Sequence, residues 1–148
     1  MNNKELHDRV HSAMYTLIKE KGVASPVEVL MVIGVLSKDD YENWRFGRVD
    51  YLERVCMINQ SKLSSINREI RAFARKNDLK PSWTDYRKWG KGVKTRLRFS
   101  KYRNANVEKL YATHYVSSRK VEDVKERRTV QHDNAKPDIK DGLPDTDL

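Results

Sequence analysis

The apolar residues of this chain recur at helical spacing as far as Leu79 and then switch to alternation. That change of period restricts the fold to helices first and a strand pair afterwards. Leu6, Val10, Met14, Leu17 and Ile18 form one stripe between Lys4 and Lys21, with Gly22 at its end, which predicts a first core helix. Ser25-Pro26-Val27-Glu28 combines an N-cap serine, a proline at the first helical position and a glutamate three residues after the cap. The helix it opens should stop at Gly34. Ser37-Lys38-Asp39-Asp40 repeats the start signal and opens a third short helix through Tyr41, Trp44 and Arg45 to Gly47. Leu52, Val55 and Ile58, then Leu63, Ile66, Ile70, Phe73 and Ala74, continue the helical period, interrupted at Asn59-Gln60-Ser61. Either one kinked helix or two helices, the second capped by Ser61, fits that interruption.

Past Leu79, Pro81 to Lys101 reads as a β-hairpin around Gly90-Lys91-Gly92. With Trp89 opposite Val93, Trp83 meets Phe99 and Asp85 meets Leu97 on one face. The other face then sets Lys88 opposite Lys94, Tyr86 opposite Arg96 and Thr84 opposite Arg98. Like charges facing each other across a strand pair are destabilising, so this register calls for an anion against that face. Asn106 to Val116 offers one more short helix. From Ser117 the chain is charged and poor in large apolar groups. Asp133 to Leu148, with Pro137, Gly142, Pro144 and five Asp against two Lys, predicts a disordered acidic tail. The expected organisation is a single globular domain over 4–116 and a charged tail over 117–148. The expected fold is a mostly helical α+β class with four to six helices and one basic β-hairpin, winged helix-turn-helix-like.

Charge separates the halves of this plan. Ser61 to Asn104 holds fourteen Lys or Arg against three acids, a balance of +11, while the other residues hold 16 bases and 18 acids, a balance of −2. A focused field of that sign selects polyanions, where a dispersed one would serve only solubility. Cys56 is the only cysteine, which excludes an internal disulfide and points to a reducing compartment and a buried structural thiol. The longest apolar run, Val29 to Leu36, is too short to span a membrane, and the polar N-terminus has no signal-peptide core. A cytoplasmic protein without a membrane partner is expected.

Arg68, Arg71 and Arg75 fall at i, i+3 and i+7, opposite Ile66, Ile70 and Phe73. An arginine-faced helix followed directly by a basic hairpin is the arrangement of a recognition helix and wing. The candidate nucleic-acid contacts are therefore Arg68, Arg71 and Arg75 on the helix, and Lys88, Lys91, Lys94, Arg96, Arg98 and Lys101 on the hairpin, with Tyr86 as a stacking surface. The competing reading of each is a solvated cationic face. The helix pair from Ser25 to Gly47 also has helix-turn-helix proportions, but its second helix opens with Asp39, Asp40 and Glu42, the wrong sign to face phosphate, so it is assigned to scaffolding. Arg45 and Arg48 near its end either clamp a phosphate or pair with Asp50 or Glu53.

Duplex DNA ranks slightly above RNA, because the expected register hides Trp83 and Trp89 that would otherwise stack unpaired bases. Enzyme readings are weak. His7 and His11 stand at i, i+4, but no HExxH frame or third ligand is adjacent, so no metal site is assigned. His114 lacks an orienting partner for general-base work and reads as a hydrogen-bonded structural histidine. Gly90-Lys91-Gly92 lacks the spacing of a phosphate-cradling loop, and no carboxylate pair suggests acid–base chemistry. No catalytic residue and no cofactor is assigned.

Three strings, W-R-F-G-R-V-D-Y-L-E from Trp44 to Glu53, L-R-F-S-K from Leu97 to Lys101 and Y-A-T-H-Y-V from Tyr111 to Val116, resemble those of a family of small uncharacterised bacterial proteins. The resemblance covers about Leu6 to Val116. It implies a bacterial cytoplasmic origin and a domain ending near Val116, and it carries over no activity and no functional residue. The expected function is nucleic-acid binding. The alternatives are a module whose basic face docks an acidic protein partner and, third, a nucleic-acid-processing enzyme. The acidic tail adds the expectation that it competes for the basic hairpin.

Overall fold

Capping side chains and left-handed glycines set the lengths of the first helices. In the computed structural model, which describes residues 1–118, α1 (Asn3–Lys21) starts at a capping box. The Asn2 side chain accepts from the Glu5 amide at 2.8 Å, and the Glu5 carboxylate accepts from the Asn2 amide at 3.3 Å. It ends at Gly22, whose φ of 76° lets its N–H donate to the Ile18 carbonyl. A two-residue strand, β1 (Val23–Ala24), leads to α2 (Pro26–Val32), capped by Ser25, and then to α3 (Lys38–Arg45), capped by Ser37.

The interrupted stretch resolves into two pieces. Leu52–Val55 is a single 3-10 turn, and α4 (Gln60–Lys76) follows, capped by Asn59 where Ser61 was expected. The turn is tied to the chain beyond β2 through its first amides, which no helix could satisfy internally: Leu52 N–H donates to the Arg98 carbonyl and Glu53 N–H to that of Phe99. Cys56 follows the turn with its thiol donating to the Leu52 carbonyl, and burial pushes its pKa up to about 12, as befits a structural thiol.

The strand pairing differs from the expected hairpin. β2 (Lys80–Trp83) pairs antiparallel with β3 (Thr113–Val116), which follows α5 (Ala105–Ala112). β3 also pairs with β1, giving a three-stranded antiparallel sheet in the order β1-β3-β2. The register sets Pro81 opposite Tyr115 and Trp83 opposite Thr113, and Thr84 N–H extends it by donating to the Ala112 carbonyl. The fold is thus α+β and mostly helical, with five α-helices and this one small sheet among the described residues. Residues 84–104 form an excursion between β2 and α5 in place of two regular hairpin strands. Within it only Arg87 and Arg96 make an isolated bridge, flanked by bonds from Lys88 N–H to the Thr95 carbonyl and from Leu97 N–H to that of Tyr86.

This register is one residue away from the expected one. The core explains the shift: Tyr86 turns inward, 6% exposed, onto Trp44 and Phe99, while Trp83 turns out, 56% exposed. Trp44 is wholly buried and its indole N–H donates to the Arg98 carbonyl at 2.9 Å. Phe99 stacks on Tyr111 at 5.2 Å, and Tyr111 donates its hydroxyl to Glu53 at 2.7 Å. Glu108 accepts from the amides of Phe99 and Ser100 and from the Ser100 hydroxyl, which pins the end of the excursion to α5. Burial, with the Glu108 charge nearby, raises the Glu53 pKa against the lowering effect of the Tyr111 hydrogen bond.

On the other side of the molecule α1 and α4 pack through Leu6, Val10, Met14 and Leu17 against Leu63, Ile66 and Ile70, and the two clusters merge into one core. Among the described residues no helix is long and apolar enough to cross a membrane. The expected tail lies outside the described residues except for Ser117 and Ser118.

Candidate nucleic-acid interface

An amphipathic α4 has one face for the core and one for solvent. Leu63, Ile66, Ile70 and Ala74 are buried, and Arg68, Arg71 and Arg75 are exposed, as the spacing predicts. Arg68 donates to the Ser65 hydroxyl at 3.1 Å; Arg71 and Arg75 belong to no ion pair among the described residues. Their charges reach Tyr115 on β3, where they oppose the upward push that burial gives its phenol pKa. Part of this charge has a local rationale, since Arg75 and Lys76 sit in the last turn, where the helix dipole favours cations by about 0.3–1 kcal/mol. The helix closes with Asp78 in the left-handed conformation (φ 54°) and passes directly into β2.

The excursion is basic as well, but Arg87, Arg96 and Arg98 are engaged. Asp85 lies between Arg87 and Arg96, 2.5 and 2.8 Å from their Nε atoms, and Arg96 also covers the Trp83 ring at 5.2 Å. Asp85 thus supplies an anion from within the chain to Arg87 and Arg96, which face each other in the observed register. Arg98, half-buried, donates to the carbonyls of Asp50 (3.0 Å) and Lys101 (3.3 Å). Lys88 runs along Gly47, where a Cβ would come within 3.1 Å of its Cε. Lys91, Lys94 and Lys101 are exposed, and Lys101 lies over Tyr102, itself 83% exposed. Tyr86 does not offer a stacking face: it is in the core, with its hydroxyl 2.8 Å from His114 Nε2.

Arg45 and Arg48 take neither expected carboxylate. Arg45 stacks over Trp89 (4.6 Å) and Tyr86 (5.1 Å) and donates to the Arg87 carbonyl, leaving its buried Nε without a hydrogen-bond partner. Arg48 donates to Asn43 and lies over Phe46. Burial lowers the His114 pKa to about 4, so the imidazole is neutral near pH 7, and the same burial raises the Tyr86 phenol. That pair is a part-buried hydrogen bond that ties the core side chain of Tyr86 to β3.

The surface therefore has two parts. One is a regular arginine row, and the other is an irregular loop that presents lysines, with two exposed aromatic rings, Trp83 at the end of β2 and Tyr102 within the loop. Neither ring was assigned to the site in the sequence, because the expected register buried the first and nothing local marked the second. No family model matches the chain, and no curated protein or solved structure matches it either.

Proposed function

We propose that this protein binds nucleic acid through α4 and the excursion that follows β2, in the manner of a winged helix-turn-helix. The observation that carries the reading is that Arg71 and Arg75 are exposed and, among the described residues, in no ion pair, on a helix leading straight into the β2–β3 pair. In this reading α4 lies in the major groove and residues 84–104 take the place of the wing, with Lys91, Lys94 and Lys101 meeting backbone phosphates. This wing is enlarged and is followed by α5 before β3, and Arg87, Arg96 and Arg98 shape it while its lysines reach out.

A second reading is favoured by one specific observation. Trp83 and Tyr102 are exposed aromatic rings with a cation over each, a combination that suits unpaired bases stacked beside neutralised phosphates. A duplex and a single strand of the same mixed sequence, titrated by fluorescence anisotropy over a range of salt, distinguish the two. Duplex binding should lose log affinity against log salt with a slope of about −0.9 per phosphate neutralised. Arg71→Ala with Arg75→Ala should make that slope shallower by about 2 and weaken all sequences alike. Preference for the single strand, lost on Trp83→Ala, would favour the second reading. Absence of binding to either nucleic acid at low salt would overturn both and leave an acidic protein as the partner to seek.

A further inference from the structure

Two histidines one turn apart on α1 meet a carboxylate that comes from α4. The His7 and His11 rings stack with centroids 4.0 Å apart, and both Nε2 atoms approach the same oxygen, Glu69 Oε1, at 3.5 and 3.0 Å. One donor atom from each of the three residues lies within 4.8 Å of the other two. Metal–nitrogen and metal–oxygen bonds of about 2.0–2.2 Å imply ligand atoms about 3.3–3.5 Å apart in a tetrahedral site, so the two measured separations bracket the edges of such a polyhedron.

The surroundings of the cluster also fit a ligand set. Asp8 Oδ1 lies 3.3 Å from His7 Nδ1, the outer carboxylate contact that fixes an imidazole tautomer and aims the opposite nitrogen at a metal. Phe73 meets the His11 ring edge-on at 5.5 Å and walls the site on the core side. His11 and Glu69 are about three-quarters buried and His7 is half exposed, so one side of the cluster opens to solvent.

We propose that His7, His11 and Glu69 form a divalent transition-metal site of the zinc class, with three protein ligands and a fourth position open to water. Imidazole with carboxylate suits zinc and its neighbours in the first transition row, and disfavours magnesium and calcium, which take oxygen ligands. The metal clamps α1 to α4, one residue along from Arg68, and the site is independent of whether the arginine row binds nucleic acid. No reaction is assigned to it, since Asp8 is turned onto His7 and supplies no base to the open position.

The test uses the full chain, free of any polyhistidine tag and stripped of metal, titrated with zinc by calorimetry and with cobalt by visible absorption. One equivalent should bind, cobalt should show the intense bands of a four-coordinate site, and saturating zinc should raise the melting temperature by about 5 °C. His7→Gln removes an exposed ligand without touching the core and should weaken binding at least tenfold, and His11→Gln should abolish it. Asp8→Asn should weaken binding by about tenfold with stoichiometry unchanged, the effect of an outer carboxylate. The proposal is overturned by absence of saturable binding, by six-coordinate cobalt spectra with no thermal shift, or by binding of equal affinity in the His7→Gln, His11→Gln double variant. That last result would place the metal on Cys56, His114 or His132.

Discussion

The arginines of α4 and those of the excursion are alike in the sequence and opposite in use. On α4 the backbone satisfies its own carbonyls, so Arg71 and Arg75 have nothing to hold in place and project into solvent. Residues 84–104 have almost no ladder, and guanidinium groups take over the work of one. Arg45 reaches the Arg87 carbonyl, Arg87 that of Lys94, and Arg98 those of Asp50 and Lys101. These bonds leave the charge of +11 in place but reduce the number of guanidinium donors free to contact a ligand. Arginine in irregular backbone acts first as a multidentate donor, and lysine is what remains to meet phosphate.

The largest test of this contrast is at the anchor of the excursion. Trp44→Ala should cost about 3–5 kcal/mol in urea unfolding, because it empties the aromatic cluster and removes one of the two N–H donors, the indole and the Leu52 amide, that the Arg98 carbonyl accepts. Hydrogen exchange should rise in 84–104 before it rises in α4.

Acid should loosen the same region. His114, whose folded pKa is about 4, stays neutral in the fold, while in the unfolded chain it takes up a proton below about 6.5. Its contribution is full above that upper value and is lost as pH falls toward the lower one, up to about 3 kcal/mol. The melting temperature of the wild type should therefore drop more between pH 7 and pH 4.5 than that of His114→Gln. Glu53 pulls the other way, since its raised pKa makes the fold the better proton acceptor, which is why the variant and not the bare pH profile is decisive.

Smaller effects separate individual arginines. Arg45→Met should lower stability by about 1–2 kcal/mol through its two ring contacts and its carbonyl bond, whereas Arg71→Met should stay within about 0.5 kcal/mol. Equal losses would break the contrast between an engaged and a free arginine. Asp85→Asn comes last, at about 0.2–1 kcal/mol for a pair open to solvent. If the excursion touches phosphates, the same change should steepen the salt dependence of duplex binding by freeing Arg87 and Arg96.

What the sequence made legible follows the range of the interaction. Ser25 and Ser37 as caps, Gly22 as the stop of α1 and the break before α4 depend on neighbours within a turn, and they stand where the pattern put them. The exposed row of Arg68, Arg71 and Arg75 follows from helical periodicity alone. The excursion defeated the same reasoning because its facing was decided at a distance. Tyr86 turns inward to reach Trp44, and β2 finds its partner in β3 beyond a whole helix, leaving Trp83 outside. Glu69 stayed invisible beside His7 and His11 for the same reason: it is 58 residues from His11 and arrives only when α4 docks on α1.

Pro81 carries one more consequence. Thr84 N–H points at β3, so at every second residue back along β2, at Ser82 and Lys80, the amide turns the same way, and the nitrogen of Pro81 faces outward from the sheet edge. There the rim offers no donor, beside the charge of Lys80. That missing donor and the neighbouring charge disfavour the addition of a second strand along β2, whose outward-facing amide is left to Trp83.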